Sequence, residues 1–442
     1  MRLPGPHSAT ASGILGPVRS DEEGTLQRSR LAIAVAGLLL GACSAAPAAN
    51  DAAPVGETST TVAVPTLRAG TWARSDDPHI VDASYQVINA VVHTSNGFVA
   101  GGFDSTGLDA DAAVWVSPTG ASWERVAAPV FGGPDAQSIL GVALGGPGII
   151  AVGFDASGVD TDAAVWASSD GTEWIRIADT AFVAEGDQEI RAVLATDNGF
   201  IAAGHDARGS EVDAAVWVSI DGIDWIRIFD PALGGFGHQR ISSLVMGPHG
   251  IVAGGTNYWP NQFGLFNLDA RIWTSPDGRS WEFVDDDVTF GGNGWQYISA
   301  VTVGPAGYVA AGTNILGTPG IHNDAAVWVS ADGRTWELLT EDVFDLPGVQ
   351  RISALVEGPE GIVAVGYDSD EDGGRVPAVW ISPDGRGWVR VQDPTFEEPG
   401  HRWMNAVTTG GPGLIAVGAD GTSLVGDPAV WLYALALAAE GG

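Results

Sequence analysis

Hydrophobic and polar positions recur along this chain in a repeat of roughly fifty residues. The segment from Asp324 to Trp336 reads Asp-Ala-Ala-Val-Trp-x-Ser-x-Asp-Gly-x-x-Trp, and the pattern returns in five other places, with its first half again at Trp431. In each full copy the second Trp follows the first by eight residues, at 115/123, 166/174, 217/225, 273/281, 328/336 and 380/388. A repeat of fixed spacing is the sequence sign of a repeat architecture.

Each repeat contains four short segments that we interpret as strands a to d. Strand a reads Gln-x-Ile-x-Ala-Val, as at 350–355, and strand b reads Gly-Ile-Val-Ala-x-Gly-x-Asp, as at 361–368. Both are rich in β-branched residues and bounded by Gly, Pro or Asp, which is typical of strands. Strands c and d flank the Ser-x-Asp-Gly segment. No stretch after residue 70 has the 3.6-residue period of a helix.

The segment between the paired Trp residues predicts a three-residue hairpin loop, as in Pro276-Asp277-Gly278. Pro and Asp suit the first two positions of such a loop, and Gly takes the left-handed one. This loop would place Trp328 directly opposite Trp336. Residues opposed in this way share one face of the sheet, so the pair would pack that sheet against its neighbour.

Seven repeats spaced 51 to 56 residues apart predict an all-β fold, a seven-bladed β-propeller of four-stranded blades over residues 70–434. The chain enters with a lone strand d at 70–74 and leaves after strand c at Trp431. The N-terminal strand would therefore complete the last blade and close the ring, which removes two sheet edges. Residues 435–442 form a short tail.

Composition excludes one class of partner. The 442 residues include 54 acidic and 20 basic residues, all of the latter Arg, for a net charge of -34. Such a chain repels nucleic acid. It is compatible with cationic partners, with metal ions, or with solubility alone.

Residues 1–43 read as a leader. Arg28 and Arg30 precede an apolar run that is too short to span a bilayer and has the size of a signal-peptide core. The run ends in Leu40-Gly-Ala-Cys43, which resembles the lipobox of bacterial lipoproteins. That resemblance implies acylation at Cys43 and an extracytoplasmic protein anchored to the bacterial cell membrane. The alternative is an ordinary secretory signal with a chance Cys. Residues 44–69, rich in Ala, Pro and Thr, then form a disordered tether.

The turn sequence Ser330-x-Asp332-Gly-x-x-Trp336 resembles the Asp-box of sialidase-like (BNR-repeat) propellers, over residues 70–434. The family pattern, Ser-x-Asp-x-Gly-x-Thr-Trp, is one residue longer, and the first copy here has Thr119 in place of the Asp. In that family the Asp-box is structural and lies away from the active site. The resemblance therefore implies that these three side chains stabilise the fold.

The same resemblance implies what a catalytic site would need, namely three Arg for a substrate carboxylate, a Tyr–Glu nucleophile pair and an Asp acid. Four Arg lie outside the repeat pattern near the start of a strand a: Arg191, Arg240, Arg351 and Arg402. Arg240 and Arg351 follow the recurrent Gln, so a ring position also explains them, whereas Arg402 replaces that Gln. Arg402, Arg351 and Arg240 are the catalytic candidates if the protein is an enzyme, a sialidase-like glycoside hydrolase. No Arg-Ile-Pro segment of the family occurs.

The connections between strands b and c are acidic in the first two blades. Closely spaced carboxylates of this kind can hold Ca²⁺. A recurrent Asp before strand c is more typical of a backbone partner at a turn, so we expect no cofactor, with Ca²⁺ as the alternative. The residues concerned are Asp104, Asp109, Asp111, Asp155, Asp160 and Asp162.

Aromatic residues interrupt the repeat in the fourth and fifth blades. Exposed aromatics beside Asn and Asp suit a protein or carbohydrate ligand, although the insertion could instead pack on itself. We therefore expect a monomeric binding or scaffolding module, with a glycoside hydrolase or a structural factor of the cell envelope as alternatives. The predicted binding residues are Tyr258, Trp259, Phe263, Phe266 and Trp295.

Overall fold

A computed structural model describes residues 70–77 and 85–435, apart from 106, 108, 210, 261–265, 292–294, 316–322, 359–360, 370–372, 399, 412 and 423–424. The predicted leader and tether, residues 1–69, and tail residues 436–442 lie outside the described residues. Within the described part of the chain, no helix has the length and apolar character needed to cross a bilayer.

The described chain is all-β, as the sequence predicts, with 28 strands and one four-residue α-helix. The strands are β1 Gly70–Arg74, β2 Gln86–Thr94, β3 Gly97–Asp104, β4 Asp111–Ser117, β5 Glu124–Arg125, β6 Gln137–Gly145, β7 Gly148–Asp155, β8 Asp162–Ser168, β9 Trp174–Arg176, β10 Gln188–Thr196, β11 Gly199–Asp206, β12 Asp213–Ser219, β13 Ile226–Ile228, β14 His238–Gly247, β15 Gly250–Pro260, β16 Phe266–Ser275, β17 Glu282–Phe283, β18 Trp295–Gly304, β19 Gly307–Ile315, β20 Asp324–Ser330, β21 Glu337–Leu338, β22 Arg351–Gly358, β23 Gly361–Ser369, β24 Arg375–Ser382, β25 Val389–Arg390, β26 His401–Gly410, β27 Gly413–Thr422 and β28 Val425–Leu435. The helix α1 spans Asp287–Phe290, and 3₁₀ turns span Pro129–Phe131, Thr180–Phe182, Pro231–Leu233, Asp342–Phe344 and Pro394–Phe396.

These strands form five sheets, in which antiparallel pairing defines seven groups that we call units 1 to 7. Single parallel pairs, Leu268 with Trp295 and Arg375 with His401, join unit 4 to unit 5 and unit 6 to unit 7. Units 1 to 6 are β2–β5, β6–β9, β10–β13, β14–β17, β18–β21 and β22–β25. Unit 7 combines β26, β27 and β28 with the N-terminal β1, whose residues 70–74 pair with residues 435–431. The pairing of the first strand with the last follows the sequence prediction.

Neighbouring units share apolar cores. One core joins Val252 and Ile272 of unit 4 with Trp328 and Trp336 of unit 5, and both Trp side chains are buried. An equivalent core joins unit 7 with unit 1. There the Asn405 Nδ2 atom also donates a hydrogen bond of 3.0 Å to the Ile88 carbonyl.

The register between the third and fourth strands differs from the prediction. In unit 2, Ser168 lies opposite Trp174 and Trp166 lies opposite Arg176. In unit 5, Trp328 lies opposite Leu338 rather than Trp336. The predicted three-residue loop and direct Trp–Trp opposition are therefore wrong, and the loop holds five residues. The two Trp residues are offset by two residue pairs and therefore still share a face.

Side-chain hydrogen bonds account for the longer loop. The Asp170 Oδ1 atom accepts from the backbone N–H groups of Thr172 and Glu173, at 2.8 and 3.0 Å. The Ser168 Oγ atom accepts from the Gly171 N–H at 2.8 Å, and the Trp174 Nε1 atom donates to the Gly171 carbonyl at 2.8 Å. The same bonds recur in later units, as at Asp332 and Trp336. These contacts give Ser, Asp and Trp the structural role that the sequence implies.

Gly is required inside this turn. Gly171 has a φ of 89°, which side chains rarely tolerate. A Cβ atom at this position would lie 2.8 Å from the Val99 Cγ2 atom of unit 1. The turn therefore packs its backbone directly against the preceding unit.

A carboxylate after the fourth strand links each of several units to the next. The Asp230 Oδ1 atom caps a 3₁₀ turn by accepting from the Ala232 N–H at 2.9 Å, and its Oδ2 atom accepts from the Trp281 N–H at 3.0 Å. Asp393 makes the equivalent bond to the Trp72 N–H, at 3.2 Å, in β1. The repeat pattern in the sequence does not predict this contact. It connects adjacent units by a charge-assisted hydrogen bond.

Truncating one of the buried Trp residues tests the packing between units. Trp328 is fully buried, so we expect Trp328→Ala to lower the free energy of unfolding by roughly 3–5 kcal/mol in urea denaturation. Phe229→Ala serves as the control, because that ring is 74% exposed and should matter little. Equal stability of Trp328→Ala and the wild type would contradict the packing described above.

Candidate functional site

A one-residue bulge interrupts the first strand of every unit. In β10 the register against β11 shifts between Ile190 and Ala192, so that Arg191 is the extra residue. Bulges of this kind redirect a side chain and are common next to functional sites. The seven bulged residues are Asn89, Leu140, Arg191, Ser242, Ser299, Ser353 and Asn405.

All seven bulged residues line one cavity of about 440 Å³. Each first strand therefore contributes to the same space. In four units the residue two positions before the bulge also lines it, namely Arg240, Tyr297, Arg351 and Trp403. Later strands add Thr256, Tyr367 and Arg375. The volume falls within the range of small-molecule sites.

Four arginines line this cavity in a chain whose net charge is -34. Arg191, Arg240 and Arg351 were identified from the sequence, and the structure brings them together. Arg375 was not identified. Among the described residues, no Asp or Glu lines the cavity. The cavity is thus a positively charged site on an acidic protein, where an anion is favoured.

Aromatic rings hold two of the guanidinium groups. The Arg351 Cζ atom lies 5.1 Å from the centre of the Tyr297 ring. The Arg375 Cζ atom lies 4.8 Å from the Tyr367 ring and 5.3 Å from the Trp403 ring. Stacking of this kind fixes the plane of a guanidinium while its N–H groups can still donate to a carboxylate or phosphate.

The other two arginines lie on neighbouring units and repel each other. Burial lowers the pKa of Arg240, and the charge of Arg191 lowers it further. The Glu189 Oε1 atom lies 2.6 Å from the Arg191 Nε atom and offsets part of this charge. A bound anion would relieve the remaining repulsion.

A buried His lies beside this arginine pair. Burial lowers the pKa of His205 from 6.5 to about 3, and the charges of Arg240 and Arg191 add to the shift. Its Nδ1 atom is buried and has no hydrogen-bond partner among the described residues. His205 is therefore neutral at pH 7.

Arg402 lies apart from the cavity. Its side chain is 3% exposed, and its Nη1 atom donates to the Glu398 Oε2 atom at 2.8 Å. It also donates to the Glu398 carbonyl. The recurrent Gln that it replaces makes similar bonds in unit 2, where the Gln137 Nε2 atom donates to the Pro134 carbonyl at 2.9 Å. Arg402 thus stabilises the connection between units 6 and 7.

Among the described side chains, the predicted aromatic residues Tyr258, Trp259 and Trp295 do not line the cavity. Tyr258 and Trp259 belong to an extension of β15, where both side chains are half-buried. The Arg271 guanidinium lies 5.6 Å from the Trp259 ring. Trp295 begins β18 and Phe266 begins β16, whereas Phe263 lies outside the described residues.

The acidic connections have protein partners. Asp104 and Asp155 form ion pairs with Arg125 and Arg176, at 3.0 and 3.3 Å. Other carboxylates accept from backbone N–H groups of the connection that leads to the next unit: Asp111 from Gly133 at 3.4 Å and Asp160 from Gly186 at 2.7 Å. In the described ranges, no group of three or more His, Cys, Asp or Glu is placed to hold a metal ion. Asp109 and Asp162 are among the residues to which this applies.

Comparison with known proteins finds similarity among solved structures. The chain matches no family model and no curated protein. It is similar to a Penicillium chrysogenum α-L-arabinanase complexed with arabinobiose (15% identity, 84% of this chain, 99% of that chain, TM-score 0.42). It is also similar to a Fusarium graminearum α-L-arabinofuranosidase with an iminosugar inhibitor (11% identity, 83% of this chain, 98% of that chain, TM-score 0.42). A third similar structure is a Trypanosoma rangeli sialidase with 2,3-difluorosialic acid (13% identity, 81% of this chain, 59% of that chain, TM-score 0.41). Similarity at this level assigns no activity to this chain.

The low pKa of His205 predicts a pH dependence of stability. The unfolded chain binds a proton near pH 6.5 and the folded protein only near pH 3, so stability is lost as the pH falls through this interval. The slope approaches about 1.4 kcal/mol per pH unit. Units 1 and 2 carry Phe103 and Phe154 at the equivalent strand position. We expect His205→Phe to remove this contribution, so that the difference in unfolding free energy between the two proteins in urea changes between pH 7 and pH 4. Parallel stability curves for the two proteins would contradict this expectation.

Proposed function

We propose that residues 70–434 form a seven-bladed β-propeller of the Asp-box type, closed by β1 in the last blade. The pairing of β1 with β28 supports closure, as does the core shared by units 7 and 1. The convergence of all seven first strands on one cavity supports the same arrangement. The Ser, Asp and Trp hydrogen bonds of the turns support the Asp-box assignment.

We further propose that this propeller is a monomeric lipoprotein of the bacterial cell envelope. The support is the sequence Leu40-Gly-Ala-Cys43 after a short apolar run, followed by a segment rich in Ala, Pro and Thr. Cys43 would carry the lipid, and residues 44–69 would act as the tether. An extracytoplasmic position would expose the cavity to solutes outside the cell membrane.

The proposed function is binding of a small anionic ligand, with a sugar body as the favoured class, in the central cavity. One observation carries this proposal, namely the convergence of four arginines in an otherwise acidic protein. Guanidinium groups bind carboxylate or phosphate through paired hydrogen bonds. Aromatic rings and hydroxyl groups in the same cavity suit the faces and hydroxyls of a sugar. Under this proposal the ligand binds in the cavity, and the surface around Trp259 is a second contact surface for a protein or glycan.

Substitution of one cavity arginine tests the proposal. We expect Arg240→Gln to weaken binding of glucose 6-phosphate to the full chain at least tenfold in calorimetric titration, because a charge-assisted contact is lost. Arg279→Gln is the matched control, since it removes the same charge from an exposed turn. Equal losses in both variants would indicate a general charge effect and contradict a built site. Unchanged thermal unfolding of both variants would show that the fold is intact.

A sialidase-like glycoside hydrolase is the second candidate, favoured by Tyr297 and Tyr367 beside arginines in the same cavity. For this candidate we expect the full chain to hydrolyse a fluorogenic sialoside and Tyr367→Phe or Tyr297→Phe to abolish turnover. Absence of turnover in a protein that binds anionic sugars would reject the hydrolase and leave the binding module. Absence of both activities would leave a structural factor of the cell envelope.

A further inference from the structure

We infer that the cavity binds a ligand with two anionic groups, one held by Arg191 and Arg240 and the other by Arg351 and Arg375. This inference rests on the proposed function and specifies its ligand. It follows from how the four arginines are distributed, since Arg191 and Arg240 lie on the neighbouring units 3 and 4, whereas Arg351 and Arg375 both lie on unit 6.

The first pair lies on units 3 and 4. Arg191 is the bulged residue of β10, and Arg240 lies on β14, the first strand of the next unit. Both side chains line the cavity from neighbouring units, and the charge of Arg191 lowers the pKa of Arg240. The Glu189 Oε1 atom lies 2.6 Å from the Arg191 Nε atom, and the charges of Glu189 and Asp187 also act on Arg240. Neither carboxylate lines the cavity, so the two arginine side chains are the charged groups that face a first anionic group there.

The second pair lies within unit 6. Arg351 begins β22, Arg375 begins β24, and Tyr367 on β23 lies opposite Arg351. The Tyr297 ring stacks against the Arg351 guanidinium group. The Tyr367 and Trp403 rings stack against the Arg375 guanidinium group. The Arg351 Nε atom is buried and makes no hydrogen bond to any described residue. A second anionic group would supply that missing acceptor.

Hydroxyl groups line the space between the two pairs. The bulged residues of units 4, 5 and 6 are Ser242, Ser299 and Ser353, and Thr256 lies nearby. The Ser299 Oγ atom is buried without a hydrogen-bond partner in the described part of the chain. These hydroxyls suit a neutral, hydroxyl-bearing body that connects the two anionic groups.

On the opposite side of the cavity, polar side chains form hydrogen bonds between units. The bulged residues there are Asn405, Asn89 and Leu140 of units 7, 1 and 2. The Asn405 and Asn89 amides donate to the carbonyls of Ile88 and Ile139 in the next unit, at 3.0 and 2.9 Å. The ligand therefore lies toward units 3 to 6, where both arginine pairs face it.

A series of sugars that differ in anionic groups tests this inference. The full chain is titrated calorimetrically with glucose, glucose 6-phosphate and fructose 1,6-bisphosphate, which serve as probes with none, one and two phosphates. We expect the bisphosphate to bind at least tenfold more tightly than the monophosphate, because the second phosphate adds its own charge-assisted contacts. We expect glucose to bind more weakly than both.

Substitutions in each pair complete the test. Arg240→Gln and Arg351→Gln should each reduce bisphosphate affinity to about the monophosphate level of the wild type, a loss of roughly tenfold. Arg240→Lys and Arg351→Lys keep the charge but lose paired donation, so they should fall in between. Arg279→Gln should change neither affinity.

The outcomes separate this inference from the proposed function. Equal affinities for the two phosphates, with sensitivity to only one arginine pair, would show a single anion site and overturn the inference while the proposed function stands. Failure of every charged sugar to bind to folded protein would overturn both. Loss of bisphosphate affinity in variants of both pairs, together with tighter binding of the bisphosphate than of the monophosphate by the wild type, would establish the two-anion ligand.

Discussion

The packing of aromatic side chains between consecutive units is the constraint on which the rest of the structure depends. A four-stranded sheet of this composition has two apolar faces and cannot bury either alone. In unit 3 the Trp217 and Trp225 rings lie around Phe182, which comes from the connection that follows unit 2, at 6.5 and 5.8 Å. Each sheet thus completes the core of its neighbour. The order of the units and the position of their first strands follow from this packing.

The site is a consequence of that order. Because equivalent first strands converge, a bulge at the same position in each brings seven different side chains into one cavity. The same backbone bulge occurs at these positions in every unit, so the side chain alone determines what each position contributes to the cavity. Ser at 242, 299 and 353 and Asn at 89 and 405 contribute hydroxyls and amides, whereas Arg191 contributes charge. The scaffold can therefore change its ligand without changing its packing.

Much of the fold could be predicted from the repeat, because strand boundaries follow Gly, Pro and β-branched residues. Three cavity arginines could also be identified, because they follow a recognisable strand start. The register of the turns could not be predicted, because it depends on backbone N–H groups that donate to the Ser168 and Asp170 side chains. Arg375 was missed because its segment departs from the repeat. Arg402 was misplaced because the Gln it replaces serves a connection and does not face the cavity.

The pairing of β1 with β28 has a consequence for the order of folding. The two strands are separated by almost the entire described chain, so their contact closes the longest loop among the described strand pairs. Synthesis proceeds from the N-terminus, and β1 is therefore made long before its partner exists. The first strand must stay unpaired until the last unit emerges, which makes it the segment most exposed to incorrect pairing in the meantime. Its short length, five residues, limits that exposure.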